Sequence, residues 1–139
     1  MIGIIVGSDS DLETMNNCVD KLNELNIGNE IVTASAHRNP DKVTEYIKKW
    51  EATGYKIIIA AAGMSAALPG VVASQTNLPV IGVPMKSDLM GIDSLLSIVQ
   101  MPKGVPVACM SVGKHGAINA ALYAKRILDL MDFDQPYGA

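Results

Sequence analysis

The feature that most constrains this chain is an alternation of short apolar runs, rich in β-branched residues and alanine, with longer segments whose apolar residues recur at helical spacing. Ile2 to Val6 is such a run and stops at Gly7; Leu12, Met15, Val19, Leu22 and Leu25 then follow a helical period. Glu30 to Ala34 is a second run, after which Asn39 as cap and Pro40 at the first helical position open a helix expected to reach about Thr53. Lys56 to Ala61 is continuously apolar after its first residue, as a strand covered on both faces is. A glycine-bearing loop and a small-residue helix from about Leu68 to Gln75 follow it. Val80 to Val83 and Val105 to Cys109 complete five strands, and a long helix is expected from near Gly116 through Leu130.

Strands alternating with helices at this spacing imply parallel pairing, because a parallel connection needs a crossover long enough to hold a helix. The expected architecture is α/β: a three-layer, flavodoxin-like, doubly wound parallel sheet of about five strands with helices on both faces. The 139 residues suit one domain, 1–139, with a real core and no interdomain linker. In such sheets ligands bind beyond the carboxyl ends of the strands, where the strand order reverses. The loops of interest are therefore Gly7 to Asp11, Ser35 to Arg38, Ala62 to Ala67, Pro84 to Gly91 and Ser111 to Gly116.

Composition removes several classes of function. A net charge of -3 and 4% aromatic residues leave neither the basic face nor the stacking platforms of a nucleic-acid binder. No apolar run reaches the ~18 residues of a membrane span, and Met1 to Val6 has no signal-peptide pattern. Cys18 and Cys109 have no metal-ligand spacing and read as small hydrophobes of a reducing compartment, so the chain is expected to be cytoplasmic. Charged residues make up only 18% against 49% apolar, with a mean hydropathy of +0.25, which predicts a homo-oligomer.

Chemistry concentrates in two loops. Ser35-Ala36-His37-Arg38 sets a hydroxyl, an imidazole and a guanidinium side by side. Imidazoles, with an ordinary pKa of about 6.5, exchange protons near neutrality, and a guanidinium suits a carboxylate or a phosphate. Ser8 and Ser10 offer hydroxyls at an expected helix N-terminus, an arrangement that favours anions. Ser10 and Glu13 also have capping-box spacing, so Ser10 and the aspartates could equally serve as caps. Asp9 and Asp11 would repel a phosphate, so at least one is assigned to a sugar hydroxyl or to solvent. His37 could instead be a surface turn residue, and Arg38 an ion-pair partner. Gly63, among small neighbours, permits close approach of a ligand or simply of another backbone. Lys86-Ser87-Asp88 is either a cover for the pocket or a solvated loop, and His115 is expected to face solvent near a helix start. Neither a nucleoside-triphosphate loop nor a dinucleotide fingerprint is present, and no cluster has metal spacing. Proton transfer and electrostatic positioning remain.

Six segments in order then resemble one family. Gly7-Ser8-Asp9-Ser10-Asp11, Ser35-Ala36-His37-Arg38-Asn39-Pro40-Asp41, Leu68-Pro69-Gly70, Gly91-Ile92-Asp93-Ser94-Leu95, Ser97-Ile98-Val99-Gln100-Met101-Pro102 and Asn119-Ala120-Ala121-Leu122 are similar to the PurE family of de novo purine synthesis. The resemblance implies a carboxyaminoimidazole ribonucleotide mutase, which moves a carboxylate from the exocyclic nitrogen to ring carbon C4. It places substrate phosphate and ribose on Ser8, Ser10, Asp11 and Arg38, with Ser35, Gly63 and Leu68 in the same binding wall, and makes His37 the general acid and base. It further implies carbon dioxide (CO2) as intermediate, no metal or nucleotide cofactor, and an octamer with sites near subunit contacts. One loop departs from the pattern: common mutases resemble Gly-Gly-Ala-Ala-His-Leu-Pro-Gly, where this chain has Gly63-Met64-Ser65-Ala66-Ala67-Leu68-Pro69-Gly70. Ser65 and Ser87-Asp88 are instead similar to a second branch that carboxylates aminoimidazole ribonucleotide directly. That activity is the alternative; a non-catalytic nucleotide-binding module is a third reading.

Overall fold

A computed structural model describes residues 1–132; residues 133–139 of the expected domain lie outside the described residues. The strands are β1 (Ile2–Val6), β2 (Asn29–Thr33), β3 (Ile57–Ala62), β4 (Val80–Pro84) and β5 (Ala108–Cys109). The α-helices are α1 (Leu12–Glu24), α2 (Pro40–Ala52), α3 (Leu68–Ala73), α4 (Ile92–Val99) and α5 (Lys114–Met131). All strand pairs are parallel, in the order β2-β1-β3-β4-β5. The expected flavodoxin-like sheet is therefore the observed one, and its order reverses between β1 and β3.

The pleat sorts the core into two layers, because successive strand side chains point to opposite faces. Ile2, Ile4 and Val6 of β1 join Ile57, Ile59 and Ala61 of β3 against Met15, Cys18 and Leu22 of α1 and the alanines of α5. On the other face Ile5, Ile58 and Ala60 meet Val43, Ile47 and Trp50 of α2 and Leu68 and Val72 of α3. Trp50 is fully buried, and its indole occupies the space where a side chain at residue 3 would stand, so Gly3 is required by this packing. Every residue of β1, β3 and β4 is buried, which explains why these strands read as uninterrupted apolar runs.

Several boundaries differ from expectation, each for a local reason. The fifth strand is only Ala108–Cys109; Pro106 lacks an amide hydrogen, and the Val105 amide turns back to the Pro102 carbonyl at 3.2 Å. The small-residue helix ends at Ala73, and the last helix begins at Lys114, ahead of Gly116. The Ser10–Glu13 capping box does not form. Ser8, in extended backbone, caps a short 3-10 turn over Asp9–Asp11 that runs into α1, and the Ser10 hydroxyl donates to Ser8 Oγ at 3.0 Å. Asn39 does precede α2 but its side chain makes no cap bond to it; its Oδ1 accepts from the Ser35 amide at 2.5 Å, tying the loop to itself. Helix α4 was not expected. Ile92, Leu95, Leu96 and Val99 carry its helical period, but only Ser94 and Ile98 are buried.

Candidate active site

The loops that follow β1 to β4 open together on the carboxyl edge of the sheet and line one cavity of about 650 Å³. Ser8, Ser10, Asp11, Ser35, His37, Arg38, Gly63 and Leu68 all border it, as do Lys86, Ser87 and Asp88. The cavity therefore spans the switch point between β1 and β3. Asp9 and His115 do not border it, and His115 is exposed on the first turn of α5.

Each wall is built locally. After β2, the amides of His37 and Arg38 donate to Ser35 Oγ at 3.3 and 3.1 Å. Ser35 thus organises the turn that carries the imidazole and the guanidinium. Both side chains are left exposed toward the cavity mouth, and Arg38 Nη2 reaches the Gly7 carbonyl at 3.5 Å, leaning over the β1 loop. Ser8 and Ser10 thus share a rim with a guanidinium and the start of a helix, a combination suited to a phosphate.

Asp11 is half-buried, and burial raises its carboxyl above the ordinary aspartate range. A poorly solvated carboxylate seeks donors, and ribose hydroxyls supply two. Of the two aspartates, Asp11 faces the cavity and Asp9 is exposed outside it.

After β3 the chain turns sharply. Met64 has φ +58°, a conformation uncommon outside glycine, and the Ala66 and Ala67 amides close tight turns to Met64 and Ser65. Leu68 is 2% exposed, floors the cavity and joins the core beneath it. Ala67 presents only a methyl group where the common pattern has an imidazole. After β4, Ser87 Oγ donates to Asp93 Oδ1 at 2.6 Å, which fastens the Lys86–Asp88 segment to the first turn of α4. Sequence gave no signal for that tether, since the partners are six residues apart across a turn and only the fold brings them together. Among the described residues, no group of three or more His, Cys, Asp or Glu side chains is placed to hold a metal ion.

A family model described as AIR carboxylase matches residues 1–135. The chain belongs to the AIR carboxylase family. It is 56% identical over 135 residues to the N5-carboxyaminoimidazole ribonucleotide mutase of Bacillus subtilis, covering 96% of this chain and 83% of that protein. The protein of the same name from Escherichia coli is 47% identical over 132 residues, covering 94% of this chain and 78% of its own. A crystal structure of Treponema denticola PurE superposes with a TM-score of 0.86 at 31% identity, covering 96% of this chain and 82% of that one. As a member of the AIR carboxylase family, the chain carries the cavity where the sequence of loops predicted it.

Proposed function

We propose that the chain is an N5-carboxyaminoimidazole ribonucleotide mutase, converting its substrate to 4-carboxy-5-aminoimidazole ribonucleotide in de novo purine biosynthesis. The observation that carries this reading is the convergence of His37, Arg38, Ser8, Ser10 and Asp11 on one cavity, in a chain similar along nearly its whole length to mutases. In this reading the phosphate sits over Ser8, Ser10 and Arg38, the ribose hydroxyls meet Asp11, and Ser35, Gly63 and Leu68 shape the wall against which the base lies.

The proton balance suits a single acid-base group. The exocyclic N–C bond breaks to release CO2, and its electron pair stays on nitrogen, which takes a proton from His37. The cavity then retains CO2 while C4 attacks it, forming the new C–C bond, and His37 removes the proton from C4. One proton leaves the imidazole and one returns, so the isomerisation is neutral overall. A second imidazole, absent here because residue 67 is alanine, is not required by stoichiometry. The chemistry needs no metal or nucleotide cofactor.

We assign the protein to the cytoplasm as a homo-octamer. Cys18 and Cys109 are both free, and among the described residues no helix is long and apolar enough to cross a membrane. Leu89, Met90, Ile92, Leu96 and Val99 are each more than half exposed, on and beside α4, an apolar patch that a neighbouring subunit would cover.

Direct carboxylation of aminoimidazole ribonucleotide is the second reading, favoured by Ser65, Asp88 and the missing imidazole. The test supplies the purified protein with either the N-carboxylated nucleotide or aminoimidazole ribonucleotide plus bicarbonate, and follows the C4-carboxylated product. Fast turnover of the first supports the mutase. Fast turnover only of the second assigns direct carboxylation, and turnover of neither leaves a nucleotide-binding module.

A further inference from the structure

We infer that Lys86 is the specificity-determining cation for the carboxylate end of the substrate; this inference rests on the functional reading above. Both the substrate and the product of that reaction carry two anionic groups on opposite sides of the ribose, a phosphate and a base carboxylate. The cavity is bordered by two basic side chains, Arg38 and Lys86, and by two acidic ones, Asp11 and Asp88. Among the described residues, neither cation is in an ion pair; the pairs are Lys21–Glu24, Lys49–Glu30 and Lys125–Asp129.

The sheet order keeps the two cations apart. Arg38 follows β2 and Lys86 follows β4, with β1 and β3 between them. Three strand spacings of about 4.8 Å separate the ends of those strands by about 14 Å, and a phosphate over the β1 loop lies one spacing from the strand that leads to Arg38 but two from the strand that leads to Lys86. Arg38 leans toward the β1 loop, onto the Gly7 carbonyl, and so belongs to the Ser8–Ser10 end. Lys86 stands at the other end, beside the Gly63–Ala67 turn, where Ala67 offers no charge and Asp88 would repel a carboxylate left uncompensated.

The loop that presents Lys86 is anchored. Ser87 is bonded to Asp93, the Met90 amide closes a turn onto the Ser87 carbonyl at 2.9 Å, and Gly91 takes φ +84° with Val112 filling the space a side chain would need. A cation held this way contacts the carboxylate both before and after its transfer. It therefore contributes mainly to binding, and its loss should raise KM more than it lowers kcat.

The experiment measures binding by calorimetry for a pair of nucleotides that differ by one carboxylate: aminoimidazole ribonucleotide and 4-carboxy-5-aminoimidazole ribonucleotide. Lys86 is exposed, so its variants should fold. Lys86→Met is expected to weaken the carboxylated nucleotide about tenfold or more, the size of one charge-assisted hydrogen bond, and to leave the uncarboxylated one within about twofold. Lys86→Arg should restore most of the preference. Equal weakening of both nucleotides, or of neither, overturns the inference while leaving the mutase reading intact. A wild-type protein that binds neither nucleotide overturns the functional reading itself, and the role of Lys86 with it.

Discussion

The two ends of the sheet treat a carboxylate in opposite ways. At the amino edge, Glu30 of β2 accepts from Trp50 Nε1 at 2.9 Å, Tyr55 Oη at 3.0 Å and Lys49 Nζ at 2.9 Å. The Trp50 hydrogen bond, followed by that from Lys49, holds the Glu30 carboxyl below its ordinary range. At the carboxyl edge, burial pushes Asp11 the other way, and no protein cation is paired with it among the described residues. The amino edge satisfies its own polar groups and so stabilises the fold. The carboxyl edge leaves its charged side chains without ion-pair partners among the described residues and open to a ligand, which is how a binding site differs from a structural network.

The sharpest way to break that contrast is at His37. His37→Asn should lower kcat by about a hundredfold to ten-thousandfold while retaining nucleotide binding and thermal stability, as removal of a general acid-base does. Near-normal turnover would remove His37 from the proton transfer. Glu30→Ala should do the reverse, costing about 2 kcal/mol by stranding the buried Trp50 N–H, with kcat unchanged. The Glu30 carboxyl is held below its ordinary 4.5, so its stabilisation is present above that pH and is lost as pH falls through the lowered value. Denaturant titrations of wild type and Glu30→Ala should therefore show a gap that narrows in acid to the part due to the stranded Trp50 N–H, and a constant gap would show that the effect has no ionic part.

The smallest effect is expected at Asp11. Its carboxyl is raised above 3.8, so the folded state holds the proton more tightly and stability falls as pH rises through the raised value. Asp11→Asn should raise Tm slightly at neutral pH, lose that gain as pH drops toward 3.8, and weaken nucleotide binding. A lower Tm at neutral pH would mean that Asp11 supports the fold.

Most of this division was legible in the sequence. β1, β3 and β4 announce themselves because burial on both faces demands unbroken apolar runs, and the five post-strand loops then share one edge by topology alone. His37, Arg38 and the serines follow from that placement. The misses share a cause. Helix α4 exposes most of its apolar residues, so its pattern does not report a core-facing helix, and β5 is cut short by a proline at a sheet edge. Ser35 and Asn39 are committed to the backbone of their own turn, and the Ser87–Asp93 tether depends on how that turn closes. None of these leaves a periodic signature.

As a mutase, the protein would move a carboxylate within one nucleotide at this edge without losing it. Labelling the carboxylate carbon of N5-carboxyaminoimidazole ribonucleotide, and running the substrate assay in excess unlabelled bicarbonate, tests it most directly. The mutase account predicts that the label is retained in the C4 carboxylate of the product. An unlabelled product, formed at a rate that depends on bicarbonate, would contradict it.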